Sequence, residues 1–111
     1  MRHIDQVNEL LKEKLATLIA REIPLDNGLI TVVYVKTTPD LQWAKIGVSV
    51  LPENNFGTAL EKLRKHNSMF AKEIKKETRL RQIPKFHWVA DITEVEAAEI
   101  ERAIEEAMKS D

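Results

Sequence analysis

The sequence predicts an α+β domain in which helices cover a three-stranded sheet, and three observations carry that prediction. An amphipathic helical stretch opens the chain, two β-rich runs separated by a short polar turn follow, and a third run of alternating apolar and aromatic residues arrives only after a long helical interval. With 111 residues there is material for one core and not for two, so residues 1–111 are expected to form a single domain.

The first stretch sets Ile4, Val7, Leu10, Leu11, Leu15, Leu18 and Ile19 at three- and four-residue steps with charged residues opposite, which predicts a helix over 3–22. Pro24 ends it, and Asp26-Asn27-Gly28 supplies turn chemistry. The run Leu29 to Thr37 is dense in β-branched residues, and Leu41 to Leu51 is a second such run. Thr38-Pro39-Asp40 between them is short, so an antiparallel hairpin is the simplest pairing. In the second strand Ala44, Ile46, Val48 and Val50 share one face, while Lys45, Gly47 and Ser49 share the other. One face is therefore expected to be buried and one open.

After Pro52-Glu53-Asn54-Asn55 comes a helical stretch with Leu60 and Leu63 inward, then a second with Met69, Phe70 and Ile74. Between them Asn67 and Ser68 compete with helical hydrogen bonding, which predicts a kink or break at that pair. Lys85 to Ala90 reads as the third strand, with Pro84 at its start where a missing donor costs least. The tail opens on Thr93 with Glu96 three residues later, a capping-box spacing, and Val95, Ala98, Ile100, Ala103, Ile104 and Met108 continue it as a final helix over 93–109.

A hydrophobic fraction of 43% beside 32% charged residues is that of a soluble globular protein, and no window approaches ~18 uncharged apolar residues. No membrane association or secretion is expected, and a cytoplasmic location fits a chain without cysteine. Without cysteine, and with His3, His66 and His87 far apart, no metal-ligand spacing exists. Paired-carboxylate sites, glycine-rich phosphate loops and nucleophile triads are also missing, so the expectation is a non-enzyme with no cofactor and no small-molecule substrate.

The net charge of −1 conceals a strong asymmetry. Residues 93–111 hold seven acids and two bases, a local charge of −5, which leaves +4 on the rest. Nine bases fall within residues 62–85 (Lys62, Arg64, Lys65, Lys72, Lys75, Lys76, Arg79, Arg81 and Lys85) against Glu73 and Glu77 alone, a local charge of +7. A merely solvated face usually mixes signs, as the helix over 3–22 does. The imbalance runs past one helix into the next segment, and clustered guanidinium and ammonium groups suit phosphate contact through counterion release. These residues point to nucleic acid. Trp43, Phe86 and Trp88 are assigned to the sheet core, and the single Tyr34 gives no basis for a base-stacking sheet face.

The element order is that of the bacterial-type (type II) K-homology domain. Asp40-Leu41 followed by Ala44-Lys45-Ile46-Gly47-Val48-Ser49-Val50 resembles the "DL..AkVyvs" signature of the ribosome-binding factor A family, and Arg79 to Asp91 resembles that family's "lRl..vPeltFv.D" signature at the same spacing. The similarity runs over roughly residues 2–107. It implies a K-homology-like domain with an additional C-terminal helix, which binds the precursor of the small (30S) ribosomal subunit and its 16S ribosomal RNA and assists late maturation and rRNA processing. The family lacks the GxxG loop of ordinary K-homology domains, as this chain does, and joins its central helices through an "AxG" kink. Here His66-Asn67-Ser68 stands at that junction, with neither the alanine nor the glycine.

The expected RNA footprint is therefore Lys62, Arg64, Lys65, Asn67, Ser68, Lys72, Lys75, Lys76, Arg79, Arg81 and Lys85, grouped around the kink. A rival from another class is a protein-interaction module that docks a basic partner through the acidic helix 93–109. Nothing has the patterning of a dimerising coiled coil, so a monomer is expected.

Overall fold

The structure, a computed structural model, describes residues 3–25 and 28–91. The expected helix over 93–109 with its Thr93/Glu96 cap, and Asp26-Asn27 of the first turn, lie outside the described residues.

Helix α1 (His3–Glu22) has the boundaries its sequence periodicity predicts and buries Val7, Leu11, Leu15, Leu18 and Ile19 along one stripe. A polar residue helps to seat it. Asn8 Oδ1 accepts a hydrogen bond of 2.9 Å from the backbone N–H of Thr37, the last residue of strand β1 (Leu29–Thr37). That contact ties the first turns of α1 to the end of an edge strand and satisfies a donor that would otherwise lose water.

Strand β1 pairs antiparallel with β2 (Trp43–Leu51), so the expected hairpin forms. The pairing is not a plain ladder: Val32 lies opposite Val48, yet Tyr34 lies opposite Gly47, so Val33 is an extra residue in a bulge. The bulge shifts the inward phase by one, which is why Val32 and Val35, three residues apart, are both buried. The second strand begins at Trp43 rather than at Leu41 as the sequence predicts. Asp40 captures the turn: its Oδ1 accepts from the Thr38 hydroxyl and from the Gln42 N–H, and Leu41 is held at φ 61°. Those two hydrogen bonds to the charged form, the hydroxyl's first, hold the Asp40 carboxyl below its ordinary pKa.

A single turn of 3₁₀ helix at Glu53–Asn55 leads into α2 (Phe56–Lys65), and α3 (Asn67–Glu77) follows at once. The two helices meet at His66, one residue before the expected Asn67-Ser68 break. His66 leaves the helical region at φ −97°, ψ 4° and closes the end of α2 itself. Its N–H donates to Lys62 O and Leu63 O, and its ring Nδ1 lies 2.7 Å from Lys62 O, a distance that requires Nδ1 to carry the proton. Asn67 and Ser68 accordingly do not cap α3 with their side chains.

Strand β3 (Lys85–Ala90) adds to β2 in parallel, giving the order β1-β2-β3. Ala44, Ile46, Val48, Phe86 and Trp88 join the apolar stripes of the three helices in one core, centred on Leu11, Leu15, Leu63, Phe70 and Ile74. All described helices lie on that face of the sheet. The expected α+β architecture and its helix-strand-strand-helix-helix-strand order are present.

Candidate nucleic-acid interface

The basic residues fall into three groups. Lys62, Arg64 and Lys65 occupy the last turn of α2, where cations also oppose the negative end of the helix dipole. Lys72, Lys75 and Lys76 form a stripe on α3, all exposed. At 1.5 Å per residue they lie roughly 8 to 14 Å along the axis from Asn67. Arg79 does not extend that stripe. The helix ends at Glu77, Thr78 is extended, and its hydroxyl donates to Ile74 O at 2.7 Å while accepting from Leu80 N–H. Arg79 and Arg81 are therefore carried on the exposed segment that leads to β3.

Among the described residues, acids do little to neutralise this surface. Glu77 is turned toward α1, where Lys14 pairs with it at 3.5 Å, and Lys65 pairs with Glu61 at 3.2 Å with both side chains about two-thirds exposed or more. Among the described residues, Lys62, Arg64, Lys72, Lys75, Lys76, Arg79 and Arg81 make no ion pair. Pairs such as Lys65–Glu61 contribute at most a few tenths of a kcal/mol, roughly 0.3–0.5, and leave Lys65 free to exchange partners.

Asn67 has a structural task that sequence reasoning missed. Its Oδ1 accepts from the Trp88 indole Nε1 at 2.6 Å, fixing the start of α3 to β3. Trp88 is 2% exposed and packs against Phe70, with ring centroids 5.9 Å apart. A buried indole N–H needs an acceptor, and Asn67 supplies it. That bond leaves the Nδ2 of Asn67 without a hydrogen-bond partner among the described residues, and Ser68 is exposed beside it.

Lys85 stands apart from the helical group. Phe86 and Trp88 point to the core, so Lys85 and His87 point to the opposite, open face of the sheet. There Lys85 Nζ lies 5.4 Å from the centroid of the Trp43 ring, its partner across β2–β3. Trp43 is 49% exposed, which corrects its assignment to the core. The strand alternation held the signal: Trp43 has the same parity as Lys45, Gly47 and Ser49, already read as the open set.

No helix among the described residues is long and apolar enough to cross a membrane, and no group of three or more potential metal ligands occurs among them. A family model described as ribosome-binding factor A matches residues 3–104. The chain belongs to the ribosome-binding factor A family. A ribosome-binding factor A from Chlamydia pneumoniae is 35% identical over 94 residues, spanning 81% of this chain and 78% of its own. The crystal structure of ribosome-binding factor A from Thermus thermophilus superposes with a TM-score of 0.69 at 23% identity, over 80% of this chain and 97% of that one. Another similar structure is a homology model of the Thermus thermophilus factor fitted into a cryo-EM map of a 30S complex, with a TM-score of 0.63 at 22% identity over 81% of this chain and 93% of that one. At these identities the likeness establishes the shared fold. The three-stranded sheet with its helices on one face is thus the ribosome-binding factor A fold, here with His66 at the helical junction.

Proposed function

We propose that this protein binds the precursor of the small ribosomal subunit through its 16S ribosomal RNA and assists late maturation and rRNA processing, acting as a non-catalytic monomeric domain in the cytoplasm. The observation that carries the reading is the run of exposed cations on α2, α3 and the following segment, of which Lys65 alone has a carboxylate partner among the described residues, in a chain of the ribosome-binding factor A family. The fitted 30S complex of the Thermus thermophilus factor supports the choice of subunit.

The mechanism is positioning. Lys62, Arg64 and Lys65 on one side of His66, and Lys72, Lys75 and Lys76 on the other, engage phosphates along two arms of the paired helices, with Ser68 and the Asn67 amide nitrogen at the junction. Arg79 and Arg81 extend the track, and Lys85 reaches RNA from the sheet's other face. Phosphate contacts set register, and the fixed geometry of the helix pair selects RNA shape.

Co-sedimentation with small subunits, large subunits and an unrelated structured RNA, at low and moderate salt, tests this. Selective retention on small subunits that falls as salt rises is expected. Reversal of Lys72, Lys75 and Lys76 to Glu should abolish it with the thermal midpoint nearly unchanged, because all three are exposed. Binding that survives the triple reversal would move the site away from α3, and no RNA affinity at any salt would leave a protein partner as the better reading.

A further inference from the structure

The open face of the sheet carries an organisation that the helical footprint does not explain. Lys36 lies opposite Lys45, and Lys45 lies opposite His87, so three basic side chains form one row across all three strands. Lys36 and Lys45 are like charges placed directly opposite, which is destabilising, and no acidic residue is present in the three strands to relieve them. Asp40, in the turn at that end of the sheet, is engaged by hydrogen bonds within the turn. An aromatic ring stands on each side of the row. Tyr34 lies over Gly47, where an added Cβ would collide with its ring, and Lys36 Nζ sits 5.1 Å from its centroid. On the other side is Trp43, half exposed beneath Lys85. Beside Trp43 a pocket of about 150 Å³ is lined by Gln42, Trp43, Gln82, Ile83 and Lys85.

We infer that this face is a second RNA surface, one that takes an unpaired strand with a base stacked on Trp43 and its phosphates along the Lys36, Lys45 and His87 row. The inference rests on the ribosomal RNA reading and adds a different kind of contact to it. The helices offer cations and two small polar groups but no exposed ring, which suits a duplex backbone. The open face offers π surfaces spaced by cations, the combination that holds single-stranded nucleic acid without demanding a sequence. The pocket adds two carboxamides, Gln42 and Gln82, whose paired donor and acceptor suit the hydrogen-bonding edge of a base. Phosphates relieve the facing lysines, and a base covers the exposed indole.

Intrinsic fluorescence tests this directly, since the chain has two tryptophans and Trp88 is buried. Titration with a short oligouridylate should quench the emission, and a blunt RNA duplex should bind without quenching. Trp43→Phe should abolish the quenching while preserving affinity, which assigns the signal to Trp43. Trp43→Ala should weaken oligouridylate binding about tenfold, with the thermal midpoint unchanged. Lys36→Gln and Lys45→Gln should each lower the salt slope for oligouridylate by about 0.7. RNA that binds without quenching, at an affinity indifferent to Trp43→Ala, would overturn the stacking surface and leave the helical footprint standing. Absence of affinity for either RNA would overturn both.

Discussion

Trp88 and Trp43 lie three rungs apart on the same sheet and have opposite environments. Trp88 is 2% exposed, ringed by Phe70 and Phe86, with its N–H satisfied by Asn67. Trp43 is 49% exposed, with the Lys85 ammonium 5.4 Å from its ring centroid. An aromatic residue in a strand is thus not in itself a core residue; strand parity and the side on which the helices pack decide it. The same contrast separates the two faces as wholes, one dry and apolar and the other exposed, with basic side chains beside its aromatic rings.

The largest expected effect breaks the buried member. Trp88→Ala should cost about 3–5 kcal/mol, whereas Trp43→Ala should stay within roughly 0.5 kcal/mol, both read from urea unfolding. A loss above about 2 kcal/mol for Trp43→Ala would erase the distinction between the faces. Next comes the polar seat of Trp88. Asn67→Ala leaves a buried N–H without an acceptor and should cost about 1–3 kcal/mol; in a Trp88→Phe background the same change should cost much less, because the donor is gone.

Smaller and opposite in sign is Lys45→Glu. It places a carboxylate between Lys36 and His87 and should stabilise the fold by roughly 0.2–1 kcal/mol while weakening RNA binding. A variant that gains stability with RNA affinity intact would show that the open face is merely a solvated surface. The smallest effect belongs to the β1–β2 turn. The folded pKa of Asp40 is depressed by the Thr38 hydroxyl and the Gln42 N–H, so its stabilising contribution is complete above the ordinary carboxylate value and is lost as pH falls through the lower folded value. The stability difference between wild type and Asp40→Asn should therefore be flat at neutral pH and shrink only in that acid window.

Much of the fold was legible locally. The limits of α1, β1 and β3 follow from periodicity and from Pro24 and Pro84, whose effects act within a few residues. Around the helix junction the local signals were right about a break and wrong about its agent. Asn67 and Ser68 are good caps in isolation, yet Asn67 is drawn away by an indole 21 residues downstream, and His66 closes α2 with its own ring. The basic segment was legible as a charge imbalance. Its division into two helical arms, a linking segment and a lysine on the far face was not, because +7 along a chain says nothing about which side of a sheet each charge occupies.

The sequence by itself determined the element order, the apolar stripes and the surplus of cations, since each depends on neighbours one to four residues away. Three things required the assembled chain: the bulge that rephases β1, the parallel seat of β3 beside β2, and the row of Lys36, Lys45 and His87 flanked by Tyr34 and Trp43. Each is a relation between residues brought together by strand register, and register is fixed only when the helices have chosen which face of the sheet to cover.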